Sequence, residues 1–143
     1  MGIEENKQAV RDWIDAVNAG REDRILDLLT DDFRFTCMAV QPEWLRHSLG
    51  REEFAKVPST MSQVLVSPIQ LRIVDMTAEG SRVALEMATD SMLRNGKRYN
   101  NAYHLVIKLR DGKFYEVLEY SCSFLVQSCF GVDAVQAEAT QNA

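Results

Sequence analysis

Three glycine-containing turns in the second half of the chain constrain its fold more than any other feature. Glu79-Gly80, Asn95-Gly96 and Asp111-Gly112 separate four strand-like segments at about 69–78, 82–93, 98–109 and 114–126. Asn-Gly and Asp-Gly favour the left-handed conformations that tight hairpins need. The segments therefore read as hairpin-linked antiparallel strands. They are long, roughly 10 residues or more against a usual ~5–6. Long twisted hairpins curl, and a curled sheet wrapped on helices leaves a hollow.

The first half has a different period. Val10, Trp13, Ile14 and Val17 fall at i, i+3, i+4 and i+7, the stripe of an amphipathic helix. Gly20 follows as a natural residue just past its end. Ile25, Leu28 and Leu29 mark a short second helix, with Glu22 and Asp23 in its first turn, where the helix dipole favours anions. Thr30-Asp31-Asp32 reads as a turn and 33–38 as a first strand. Residues 39–50 have no period and read as a loop. Residues 51–66 read as helical, with Pro58 expected to kink the helix or divide it into two pieces. Helices first and strands after imply an α+β fold with an antiparallel sheet.

Length, charge and scarce residues bound the function. A chain of 143 residues is the size of one domain and buries roughly 68–70% of its unfolded surface without staples. Residues 1–130 are expected to form that domain, with 131–143 a polar, frayed tail. A net charge of −5 argues against nucleic acid. Two histidines and three cysteines exclude a zinc-finger framework. No bound metal or organic cofactor is implied. The opening MGIEENKQAV has no apolar stretch of a secretory signal, and no run is long enough to span a bilayer. The expectation is a cytoplasmic protein with reduced thiols and no membrane partner.

NKQAVRDWIDAVNAGREDRILDLLTDDFRF and SRVALEMATDSMLRNGKRYNNAYHLVIKLRDGKFYEVLEY carry a resemblance. The first has a helix, Asn-Ala-Gly, a short helix and Asp-Asp before a strand. The second has three strands with Asn-Gly, Tyr-Asn, Asp-Gly-Lys and Glu-Tyr. Over about residues 3–126 the chain resembles the nuclear transport factor 2-like superfamily, in its SnoaL-like and ketosteroid-isomerase-like branch. The resemblance implies an α+β cone, in which a strongly curved sheet wraps the N-terminal helices around an internal pocket. It also implies homodimers through the outer sheet face.

Its catalytic residues carry over incompletely. Isomerase-type members use a helix-1 tyrosine, a carboxylate ending strand 1 and a second acid in the sheet. Here Trp13 stands for the tyrosine, Cys37 for the base, and the second acid falls near Leu105. Cyclases and epoxide hydrolases place an aspartate two residues past the Tyr of the last strand, which is Cys122 here. The neighbouring strand's aspartate corresponds to Ala88 or Asp90. The row Ala84, Glu86, Ala88, Asp90 and Met92 is either a pocket wall with one or two carboxylates or a solvent face, and the resemblance turns the row Leu118, Tyr120, Cys122 and Phe124 inward. Glu86 and Asp90 are thus the candidate catalytic acids. Trp13, Cys37, Tyr103, Tyr120 and Cys122 are the candidate pocket lining. His104 has the outward parity. His47, in the 39–50 loop, is the one inward base that could activate a cysteine. Trp44, Arg46 and His47 could lid the mouth, with Arg46 meeting an anionic ligand.

Two functions follow. One is an isomerase, cyclase or hydrolase acting on a small, mainly apolar or amphipathic molecule by carboxylate acid–base chemistry. The other is a non-catalytic binding or dimerisation module, because Cys37 and Cys122 replace acids of characterised relatives.

Overall fold

The computed structural model describes residues 2–131. The tail expected after Gly131 lies outside the described residues. Helix α1 (Ile3–Asn18) buries Val10, Trp13, Ile14 and Val17, the stripe its period marks. It ends before Gly20, whose φ of 67° lies in the left-handed region that glycine enters without strain. The Asn18 side chain then pins α1 to the sheet. Its Nδ2 donates to the Leu71 carbonyl (2.8 Å), and its Oδ1 accepts from the Leu71 N–H (2.7 Å). The short α2 (Glu22–Asp27) buries Ile25.

Strand β1 (Leu29–Cys37) begins earlier than expected and absorbs Thr30-Asp31-Asp32. After it come a 3-10 turn (Glu43–Leu45), the short β2 (Ser48–Leu49) and α3 (Arg51–Ser62). Helix α3 is one helix, although Pro58 within it has no N–H to donate. Phe54 on α3 packs on Phe33, Phe35 and Trp13, with ring centroids 4.9, 5.1 and 5.9 Å away. That burial, and not backbone bonding alone, holds the helix over β1.

The second half forms β3 (Leu71–Glu79), β4 (Arg82–Thr89), β5 (Ser91–Met92), β6 (Arg98–Tyr99), β7 (Ala102–Arg110) and β8 (Lys113–Ser121). The main sheet has the order β2-β1-β8-β7-β4-β3, and β5 pairs with β6 in a separate small ribbon. Among the described residues every strand pairing is antiparallel except β1–β8, which is parallel, so the sheet is mixed. Asp111 (φ 52°) and Gly112 (φ 80°) turn the β7–β8 hairpin with both residues left-handed. A last helix, α4 (Ser123–Phe130), stands where sequence pattern extends the final strand. The result is a curved α+β cone with an open sheet edge at β3.

The inner face carries the core. Val83, Leu85 and Met87 of β4 lie opposite Ile107, Leu105 and Tyr103 of β7, and all six are buried. Directly paired antiparallel residues share a face. On β8 the partners of Ile107, Leu105 and Tyr103 are Val117, Glu119 and Ser121. The inner row of β8 thus includes a carboxylate.

Candidate active site

A cavity of about 500 Å³ lies between the sheet and the helices. Trp13 and Val17 of α1, Phe54, Pro58 and Met61 of α3, and Phe35 of β1 make much of its wall. Polar groups converge mainly from the sheet: Glu119 and Ser121 of β8, Tyr103 of β7, Tyr99 of β6 and the Cys37 thiol of β1.

Glu119 is the dominant group. Cys37 is its β1 neighbour and Leu105 its β7 neighbour, so it stands on the middle of three adjacent strands. It is half-buried, and it borders the cavity. Among the described residues no hydrogen bond reaches its carboxyl. Removing an unpaired carboxylate from water disfavours its charged form. Burial accordingly pushes Glu119 from 4.5 up to about 7. A carboxyl there is poised to take and return a proton near neutral pH.

Beside it lies a pair of phenols. Tyr103 is diagonal to Glu119 across the β7–β8 pairing. The Tyr103 and Tyr99 hydroxyls are 2.5 Å apart, and the Asn101 amide donates to Tyr99 Oη at 3.1 Å. Burial raises Tyr99 above the ordinary phenol range and Tyr103 well above it. Both are neutral donors at physiological pH. Burial likewise raises the Cys37 thiol, which keeps it from being a thiolate nucleophile.

The 39–50 segment and α4 also contribute to the wall, through Trp44, Leu45, His47, Val126 and Phe130 among others. Trp44 Nε1 donates to Gln127 Oε1 at 2.5 Å and ties the two together. His47 lines the cavity, with Nδ1 2.6 Å from the Leu45 carbonyl. That carbonyl can only accept, so the proton sits on Nδ1 and a neutral ring keeps Nε2 as an acceptor. No bond joins His47 to a cysteine thiol among the described residues. Arg46 is not part of the lining.

Trp13, Cys37 and Tyr103 line the cavity. Four other expected site residues do not. Glu86 is exposed on the convex face of β4 and Asp90 is exposed just past the end of that strand, while Val83, Leu85, Met87 and Thr89 fill the inner row. The buried row of β4 is simply the more apolar one. Glu86 lies across from the likewise exposed His104, and Asp90 forms an ion pair with Arg98 at 2.7 Å. Tyr120 is 46% exposed, and Cys122 is an exposed free thiol at the N-cap of α4.

The displacement on β8 has a definite cause. Continuing the Arg110↔Lys113 and Leu109↔Phe114 pairs would set Tyr103 opposite Tyr120. A bulge intervenes, because Lys108 pairs with Glu116 and leaves Tyr115 extra. One extra residue exchanges the faces of everything beyond it. Glu119 thereby replaces Tyr120 on the inner row. The odd spacing of buried Phe114 and Val117 is the one trace of this in the sequence.

The curved mixed sheet, the helices in its hollow and the cavity between them define a nuclear transport factor 2-like cone. Within that class, the SnoaL-like domain profile matches residues 10–117, and the chain belongs to that family. Solved structures agree at the level of fold. A candidate SnoaL-like polyketide cyclase from Jannaschia sp. CCS1 superposes with a TM-score of 0.74 at 14% identity, covering 91% of this chain and 94% of that one. IdmH, a candidate polyketide cyclase from Streptomyces antibioticus, gives 0.72 at 14% identity, covering 89% and 99%. A nuclear transport factor 2-like protein from Burkholderia xenovorans LB400 gives 0.70 at 18%, covering 88% and 95%. No curated protein matches the sequence. No helix among the described residues is long and apolar enough to cross a membrane.

Proposed function

We propose that this SnoaL-like protein binds a small, mainly apolar carbonyl compound and moves a proton beside that carbonyl. Glu119 is the general base and Tyr103 the hydrogen-bond donor to the developing oxyanion. The Glu119 carboxylate takes a proton from the carbon next to the carbonyl. The C–H electron pair becomes the enolate, whose oxygen is held by the Tyr103 hydroxyl. Returning the proton to a different carbon isomerises the compound. Attack of the enolate carbon on a second carbonyl closes a ring, and the Glu119 proton then passes to the new alkoxide. Both outcomes share the first step.

The observation that carries this reading is an unpaired carboxyl, pushed to about 7, in an apolar cavity beside a buried phenol pair. The candidate cyclases among the structural neighbours support the reaction class. The test is deuterium incorporation into 2-tetralone, a compact cyclic ketone, followed by mass spectrometry. Protein-dependent exchange that rises with pH through about 7 and disappears in Glu119→Gln is the expected result. Equal exchange with and without protein, while 2-tetralone still binds, would favour a second reading. In that reading the cavity only binds its ligand, as the thiols at Cys37 and Cys122 in place of relatives' acids suggest.

We further propose that two copies pair through the convex sheet face. Tyr120 (46% exposed) and Phe124 (83% exposed) are large apolar groups left open there and at the start of α4. Light scattering at micromolar concentration should give a dimer, and a monomer would refute the pairing.

A further inference from the structure

The Asn101 side chain is only 1% exposed and uses both ends of its amide. Its Oδ1 accepts from the backbone N–H groups of Ala102 (2.9 Å) and Cys122 (3.1 Å). Those two donors can face only an oxygen, which fixes the orientation of the amide. The opposite end must therefore be the NH2 group, and it reaches Tyr99 Oη at 3.1 Å. The Tyr99 hydroxyl that accepts there keeps its own proton, and the Tyr103 oxygen lies 2.5 Å away, where either hydroxyl can donate to the other. When Tyr99 is the donor, the Tyr103 proton is free for the cavity that Tyr103 lines.

We propose that Asn101 is a positioning residue that sets the direction of this hydroxyl chain, so that Tyr103 meets a ligand as a donor. The proposal rests on reading the cavity as a site that stabilises an oxyanion. Two backbone N–H groups from separate segments, at the start of β7 and the N-cap of α4, thus decide the polarity of a hydroxyl two side chains away. Chains of hydrogen bonds polarise one another, so a directed chain also strengthens its terminal donor.

Asn101→Asp provides the test. It keeps an oxygen for the two backbone donors and, when ionised, replaces the NH2 group with an acceptor of nearly the same shape. Tyr99 would then donate to the introduced carboxylate, Tyr103 would donate to Tyr99, and the cavity would face a lone pair. The measurement is the binding of 4-nitrophenolate and nitrobenzene at pH 8 in a Glu119→Gln background. That background removes the Glu119 charge and needs no turnover, so failure of the proton-transfer reading is scored separately by the exchange assay. The expected result is at least tenfold weaker 4-nitrophenolate binding in the doubly substituted protein, with nitrobenzene affinity unchanged. A tenfold loss is about 1.4 kcal/mol, within the range of one charge-assisted hydrogen bond. Unchanged phenolate binding, or equal loss of both ligands, would overturn the proposal.

Tyr99→Phe in the same background gives a second arm should Asn101→Asp not fold. It removes the link through which Asn101 acts and frees the Tyr103 oxygen to accept. Binding of neutral 4-nitroaniline, a donor ligand, should rise several-fold, and no rise would count against the directed chain.

Discussion

Glu119 on β8 and Asp90, between β4 and β5, are both carboxylates, yet they live in opposite solvents. Asp90 has 60% of its side chain exposed, and it holds Arg98 through two hydrogen bonds. That hydrogen bonding keeps its carboxyl below the usual range. Glu119 on the concave side has no such partner among the described residues, and burial carries its carboxyl the other way, to about 7. The chemistry of a carboxyl in this fold is set by whether it faces the cavity or the solvent. A surface ion pair leaves an ordinary anion, whereas the cavity makes a proton carrier.

The largest expected effect that would break this contrast is on rate. Glu119→Gln should lower 2-tetralone exchange by roughly 100- to 10,000-fold, the usual contribution of a general base. Glu86→Gln and Asp90→Asn should leave it unchanged; loss in either would return the chemistry to the convex face. Next, Tyr103→Phe should slow exchange roughly a hundredfold, as removal of an oxyanion donor does. Retained exchange would detach the phenols from the reaction.

Stability sharpens the comparison further. The folded value of Glu119 is above the ordinary one, so between 4.5 and about 7 the unfolded chain releases a proton that the folded chain keeps. Folding stability therefore falls as pH rises through that window. The penalty is absent below 4.5 and complete above about 7, on the order of 3 kcal/mol at most. Urea unfolding at pH 5 and pH 8 should show this loss, and Glu119→Gln should be more stable than the parent at pH 8. A flat profile that the substitution leaves unaltered would mean the carboxyl is not buried as described. The smallest effect belongs to Asp90→Asn, which should leave the unfolding midpoint at pH 7 within error, since an exposed pair is screened by water.

Much of the fold was legible because it is written in period and punctuation. The α1 stripe, Gly20 and the three turns each act through local geometry, and the structure uses all of them. The site was less legible because faces depend on register. On β4 the alternation of Val83, Leu85 and Met87 marks the inner row by apolarity alone, and only the family likeness pointed to Glu86 and Asp90. On β8 the local pattern was ambiguous, and the bulge at Tyr115 decided the matter through pairing with β7. Helix α4 was hidden because SFLVQSCF is as apolar as a strand and has no turn signal before it. The positions the family likeness gave to acids, Cys37 and near Leu105, were nonetheless informative. They flank Glu119 on the neighbouring strands, so the carboxyl arrives at the same patch from the strand between.

The bulge at Tyr115 has a consequence for how such a protein could diverge. Losing one residue there would leave the hairpin turn and the start of β8 in place but turn the rest of the strand over. A phenol, Tyr120, would enter the cavity, and the Glu119 carboxyl would pass to the outside. No cavity residue need be substituted for the reagent to change from a proton acceptor to a hydroxyl donor. Single-residue length changes in this strand are thus a route by which one cone could trade one reaction for another.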